Sequence, residues 1–153
     1  MSSGARVLVN GAAFSYLAGM DETVTIDQVL ELARSNIERL TPVQALTAQS
    51  AGAVIVDIRP LEQRRRDGSI PEALVVDRNV LEWRLAPTSK WRLAEVVDRR
   101  VILVCNQGYQ SSLAADSVRR LGVAGIADII GGFEAWLAAA LPIIDPTGPS
   151  PSR

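Results

Sequence analysis

Short apolar runs that alternate with helical stretches constrain this chain more than any other feature. Val54-Ile55-Val56, Leu74-Val75-Val76 and Val101-Ile102-Leu103-Val104 are unbroken by polar residues and bounded by turn signals. A strand with one wet face alternates, so an unbroken run predicts a strand covered on both faces. Ile126 to Ile130 is a weaker fourth run, interrupted by Asp128. Helical segments are predicted at Asn79 to Leu85, Ala94 to Asp98, Ser111 to Leu121 and Phe133 to Ala140. Upstream, Thr25 to Leu40 places Ile26, Val29, Leu30, Ala33, Ile37 and Leu40 at helical spacing, with Thr25 and Gln28 as a capping box. Its last residues, Glu38 to Leu40, also fit a short edge strand. Thr41-Pro42 opens a second helix that runs to about Ser50 and is ended by Gly52. The alternation predicts an α/β fold: a small parallel sheet of four to five strands with helices on both faces.

Pro142 stops the last helix, and DPTGPSPSR at 145–153 is too rich in proline, glycine and serine to pack. The expected organisation is a poorly ordered lead-in at 1–24, one domain at 25–144 and a flexible tail at 145–153. Residues 7–19 are apolar, but Asn10 and Ser15 break the run and no small-x-small cleavage site follows. No run approaches the ~20 residues of a membrane span. The expectation is a cytoplasmic chain, with Met20 as a second candidate start.

One cysteine and no histidine exclude whole classes of function. An internal disulfide, a zinc finger, a histidine-ligated metal and a Cys-His nucleophile pair all lack their residues. A net charge of −1 gives no electrostatic case for nucleic acid or an anionic membrane. The arginines at 64–66, 99–100 and 119–120 are read as solvated faces or helix ends.

The most informative segment is VILVCNQGYQSSLAADSVRRL. Cys105 follows a strand directly, and a helix opens near Ser111. Ligands of open α/β sheets bind beyond the carboxyl ends of strands, and helix amino termini present free N–H groups. A short loop curling around Cys105 would aim several N–H groups at its sulfur and favour the thiolate. Gly108 would supply a positive φ, and Ser111 or Ser112 would cap the helix and donate to an anion.

Three motifs resemble the rhodanese-like family over Thr41 to Pro142. VDIRPLEQRRRDGSIPEAL, Val56 to Leu74, is similar to the family's Asp-x-Arg, acidic residue and Gly-His-Ile-Pro pattern, with Ser69 in the histidine's place and Glu72 in that of the glycine after the proline. CNQGYQS is similar to the six-residue loop that the family's catalytic cysteine opens. GGFEAWLAAALP, Gly131 to Pro142, is similar to the family's Gly-Gly-x-x-x-Trp ending.

The resemblance implies a sulfurtransferase that carries sulfur as a Cys105 persulfide, in ping-pong fashion, from a donor such as thiosulfate to a thiol or cyanide. The acceptor is another molecule, a protein thiol included, because no second cysteine exists to resolve the persulfide. No metal or organic cofactor is implied. Asn106, Gln107, Gly108, Tyr109, Gln110 and Ser111 would bind substrate. Many members carry arginines where Asn106 and Gln110 stand, so this loop has no formal charge. Arg78 and Arg84 are the first candidates to replace it, ahead of Arg59. Asp57, Arg59 and Glu62 are expected to support the site structurally, with Arg59 paired to Glu62. Trp83 and Trp136 are expected in the core or the pocket wall.

Two other functions compete. A weakly catalytic or non-catalytic rhodanese module would bind a partner or sense oxidants and persulfides through Cys105. A phosphatase or arsenate reductase of the related fold needs an arginine where Ser111 stands, and the loop has none.

Overall fold

In a computed structural model the described residues are 23–146, together with a two-residue antiparallel pairing of Leu8–Val9 with Ala12–Ala13. The expected lead-in and tail fall almost wholly outside them. Five strands, β1 (Glu38–Leu40), β2 (Val54–Asp57), β3 (Leu74–Val75), β4 (Val101–Val104) and β5 (Ala127–Ile129), form one sheet in the order β1-β5-β4-β2-β3. Every neighbouring pair is parallel. Among the described residues, six α-helices flank it: α1 (Ile26–Ser35), α2 (Pro42–Ser50), α3 (Leu61–Asp67), α4 (Leu81–Leu85), α5 (Gln110–Arg120) and α6 (Gly132–Ala138). Among the described residues, no helix is long and apolar enough to cross a membrane.

Alternate residues of the central strands serve two separate cores. Val54, Val56, Val101 and Leu103 pack with Leu81, Leu85, Ala114, Ala115 and Val118 on one side. Ile55, Ile102, Val104, Ala127 and Ile129 pack with Ala45, Phe133 and Trp136 on the other. Both faces are covered, which is why β2 and β4 read as unbroken apolar sequence. The run at Leu74 is different: β3 is an edge strand and leaves Val75 half exposed. Trp136 is fully buried, and its indole N–H donates to the Pro142 carbonyl at 2.9 Å. Trp83 is 57 % exposed, so it belongs to neither core.

Thr25 and Thr41 both cap through complete capping boxes, as their sequences predict. Helix α1 stops at Ser35, and Glu38–Leu40 takes the strand alternative. Helix α3 has no counterpart among the sequence expectations. LEQRRRD holds one apolar residue and buries none, so periodicity is silent. Its Leu, Glu, Gln and Arg content favours helix by propensity alone. Arg78–Val80 is a 3₁₀ turn that runs directly into α4, so the expected helical segment at Asn79 to Leu85 is present, whereas Ala94 to Asp98 holds only an isolated 3₁₀ turn at Ala94–Val96.

Two devices bring the ends of β2, β4 and β5 together. At the exit of β2, the guanidinium of Arg59 forks onto Asp57 at 2.8 and 3.1 Å and donates to the Gly68 carbonyl at 2.8 Å. Both side chains are buried, so each charge depends on the other. The Phe133 ring lies 3.7 Å from the guanidinium carbon and joins α6 to this pair. At the exit of β5, Gly131 and Gly132 take φ values of +74° and +63°. There the first amides of α6, Phe133 N–H and Glu134 N–H, donate to the carbonyls of Cys105 and Asn106 at 2.8 and 3.0 Å. A Cβ on Gly132 would lie 2.5 Å from the Cys105 carbonyl oxygen.

Two substitutions separate these contributions. Trp136→Ala is expected to cost about 3–5 kcal/mol in urea denaturation, through lost burial and a cavity. Gly132→Ala is expected to cost about 1–3 kcal/mol through the left-handed backbone and the clash. Gly132→Ala should also slow Cys105 alkylation at a denaturant-free pH, because the loop must move; Trp136→Ala should slow it less.

Candidate functional site

Cys105 leaves β4 into the loop that ends at α5, and the residue is only 7 % exposed. It lines a cleft of about 210 Å³. The connection from β2 to α3 supplies Ile58, Arg59 and Pro60 to the wall and α3 supplies Gln63, while the loop supplies Asn106, Gln107 and Tyr109 and the start of α5 supplies Gln110. The sulfur accepts from Gly108 N–H at 3.2 Å and from Ser111 N–H at 3.3 Å. Ser111 lies in the first turn of α5, where backbone N–H groups have no partner inside the helix. Gly108 takes φ +83°, and a Cβ there would meet the Gly131 nitrogen at 2.8 Å. Two conditions therefore require glycine at this position: the backbone conformation and the closeness of the β5–α6 turn.

Beneath the loop lies a polar cluster. Asp128, in the middle of β5, is fully buried. Its Oδ2 accepts from the Ser111 hydroxyl at 2.8 Å and the Ser112 hydroxyl at 2.7 Å. Its Oδ1 accepts from Arg39 Nε at 2.9 Å. Arg39 and Arg34 each also donate to the Gly108 carbonyl, at 3.1 and 2.8 Å, and Arg34 reaches Ser112. The Ser111 oxygen is 3.3 Å from the Cys105 sulfur. The serines thus bind a buried carboxylate instead of capping α5, whose amino end has no side-chain cap.

The other residues singled out in the sequence separate into two groups. Asn106 and Gln107 turn their amides to Glu134 Oε1, at 3.4 and 3.3 Å. Tyr109 is 58 % exposed, with the Arg34 guanidinium 5.6 Å from its ring centre, and Gln110 opens α5 on the surface. Arg78 and Arg84 do not line the cleft. Arg78 donates to Glu82 at 2.6 Å, and Glu82 also accepts from Ser117 on α5. Burial opposes the charge on Glu82, but Arg78, its own backbone N–H and Ser117 hold its carboxyl below the usual carboxylate range. Arg84 is turned to the Trp91 carbonyl. Arg59 pairs with Asp57 and not with Glu62, because Asp57 already accepts the Arg59 backbone N–H and lies inside the fold, whereas Glu62 is exposed on α3.

Sequence reasoning passed over Arg34, Arg39, Glu134 and the role of Asp128. Asp128 carried a signal: an ionisable residue inside an apolar strand needs buried partners, and adjacent serines stood in the preceding helix. Arg34 and Arg39 carried none, since 74 and 69 residues separate them from Gly108.

Comparison with known proteins places this geometry in a family. A model of the rhodanese-like domain matches residues 41–139. A thiosulfate sulfurtransferase GlpE from Pseudomonas savastanoi is 28 % identical over 104 residues, covering 68 % of this chain and 91 % of the relative. Another, from Pseudomonas entomophila, is 33 % identical over 102 residues, covering 67 % and 86 %. A solved structure from Rhodopseudomonas palustris, named a protein of unknown function and possible tyrosine phosphatase, is 36 % identical with a TM-score of 0.73. It covers 82 % of this chain with its whole length. The chain is a homologue of sulfurtransferases and belongs to the rhodanese-like domain family.

Proposed function

We propose that this chain transfers sulfane sulfur through a persulfide on Cys105. The observation that carries the reading is the pair of N–H groups, on Gly108 and Ser111, at 3.2 and 3.3 Å from the sulfur in an open cleft. The Cys105 thiolate attacks the outer sulfur of a donor such as thiosulfate. The donor's sulfur–sulfur bond breaks, sulfite departs with the electron pair, and Cys105 holds a persulfide. An acceptor thiolate or cyanide then takes the terminal sulfur and returns the Cys105 thiolate. The two amides stay in place through both halves and hold whichever sulfur bears the charge. Donor and acceptor use the same cleft in turn, so ping-pong kinetics follow.

The loop's lack of charge shapes the choice of donor. Asn106 and Gln110 bring dipoles only, and Arg59 in the cleft wall is neutralised by Asp57 and donates to Gly68 through Nη2, with only its buried Nη1 left without a hydrogen-bond partner. A dianion such as thiosulfate meets in the cleft wall a single arginine, whose charge is already balanced by a buried carboxylate. A persulfide donor with a single negative charge loses less from this, and is the preferred class.

A phosphatase reading, prompted by the name of the Rhodopseudomonas palustris relative, is opposed by the loop itself. Clamping a phosphate after attack requires a forked guanidinium, and Ser111 is turned to Asp128 in that position.

The test is the mass of the intact protein after mixing with thiosulfate or an organic persulfide. Gain of one sulfur, absent in a folded Cys105→Ser variant, is the expected result. No gain from either donor would overturn the reading in favour of a partner-binding module. Gln110→Arg is expected to raise thiosulfate turnover roughly tenfold, equivalent to about 1.4 kcal/mol of added attraction for the dianion. Its effect on a persulfide donor should be smaller.

A further inference from the structure

We propose that Asp128, Ser111 and Arg39 form a positioning device that sets how readily Cys105 gives up its proton. The device lies under the loop: Ser111 alone touches the reacting sulfur, and Asp128 and Arg39 act through it. It rests on the sulfur-transfer reading only in taking Cys105 as the working group.

A hydroxyl has one hydrogen to give. The Ser111 hydroxyl donates to Asp128 Oδ2 at 2.8 Å, so its oxygen faces the sulfur at 3.3 Å as an acceptor. That arrangement suits the thiol, whose S–H can point at the oxygen. It does not suit the anion, which would meet a lone pair. When the sulfur ionises, the Ser111 hydroxyl turns to it and releases Asp128. Asp128 tolerates the release because Ser112 still donates to Oδ2 at 2.7 Å and Arg39 to Oδ1 at 2.9 Å. The duplicate hydroxyl gives the second serine a purpose.

Charge acts in the same place. Asp128 is a full negative charge one hydroxyl away from the sulfur and resists a second anion. Arg39, 20 % exposed, offsets it through a direct ion pair. Arg39 and Arg34 also hold the Gly108 carbonyl, which fixes the residue whose N–H meets the sulfur. Cations absent from the loop are therefore present behind it, supplied by β1 and α1.

Other charged or titratable groups around the loop are engaged elsewhere. Asp57 and Arg59 at the end of β2 form their own ion pair, and Glu134 on α6 accepts from Asn106 and Gln107. Tyr109 in the loop is mostly in solvent. None of these reaches the sulfur through a hydrogen bond within the described residues.

Opposite signs test the device. The readout is the midpoint of the pH profile for Cys105 alkylation by iodoacetamide, a reaction of the anion alone. Asp128→Asn removes the opposing charge and should move the midpoint down, by about one pH unit, or tenfold in reactivity below it. Arg39→Gln leaves Asp128 uncompensated and should move it up by a similar amount, whereas Arg39→Lys should leave it near the parent value. The Asp128→Asn shift should shrink in a Ser111→Ala background, where the hydroxyl link is cut. A purely structural role predicts lost stability and one common direction for all variants. Equal midpoints, or shifts of one sign for Asp128→Asn and Arg39→Gln, would overturn the proposal. If Asp128→Asn does not fold, the contrast between Arg39→Gln and Arg39→Lys decides alone, and equal midpoints for that pair overturn it. Sulfur loading is measured separately: loading with unmoved midpoints removes the device and leaves the transfer, and moved midpoints without loading do the reverse.

Discussion

The arrangement of the candidate site depends on one close approach between backbones. Where β5 turns into α6, Gly132 brings the chain so near the Cys105 loop that no side-chain carbon fits between them. The first amides of α6 take the carbonyls of Cys105 and Asn106. A carbonyl committed in that direction fixes the peptide that follows Cys105, and the loop must close back over the sulfur within a few residues. Gly108 completes the same contact from the other side, since its own missing Cβ would strike Gly131. Gly108 and Gly132 thus act together, and the amides facing the sulfur are a consequence of how tightly two turns pack. Strain in the left-handed region is absorbed by residues without a Cβ.

Much of the framework is legible in the sequence because its causes are local or periodic. Runs such as VILV can be buried on both faces only within a covered parallel sheet, and two threonines followed by glutamines mark helix starts with their own side chains. The cysteine's setting, strand before and helix after, is equally local. What escaped has a common physical origin. Helix α3 buries none of its residues, so no apolar stripe betrays it. Arg59 chose Asp57 over Glu62 because burial favours a partner that is already inside, a fact about depth that spacing does not carry. Arg78 and Arg84 lie after β3, near the loop in chain order of elements, yet they spend their hydrogen bonds on Glu82 and the Trp91 carbonyl. Arg34 and Arg39 reach the site because β1 pairs with β5, a register that only the folded sheet defines.

The polar interior of this protein is concentrated at one end of the sheet. Asp57 stands at the carboxyl end of β2 and Asp128 in the middle of β5, strands whose other residues are apolar, and they bind Arg59, and Arg39, Ser111 and Ser112, respectively. Replacing such groups with well-packed hydrocarbon is often neutral or stabilising elsewhere, so stability alone does not explain them. Each tethers a separate piece of the cleft: Arg59 joins the β2 exit to the Gly68 turn and the Phe133 ring, and Asp128 joins α5 to β1 and β5. Directional bonds of this kind fix relative position, which non-directional packing does less well.

Where charge sits relative to the sulfur matters more than how much is present. An arginine in the loop would face the incoming donor and add attraction in proportion to the donor's charge. Arginines beneath the loop touch the Gly108 carbonyl and the Asp128 carboxylate, so their field reaches the sulfur but their N–H groups do not reach the cleft. The first arrangement favours binding of a dianion, which is ground-state affinity; the second favours the anionic state of the sulfur whatever the donor. On the sulfur-transfer reading, this chain has kept the means of holding a reactive sulfur anion while giving up the means of gripping a highly charged donor. A carrier that receives sulfur from a singly charged persulfide and passes it to a thiol needs the former and gains little from the latter.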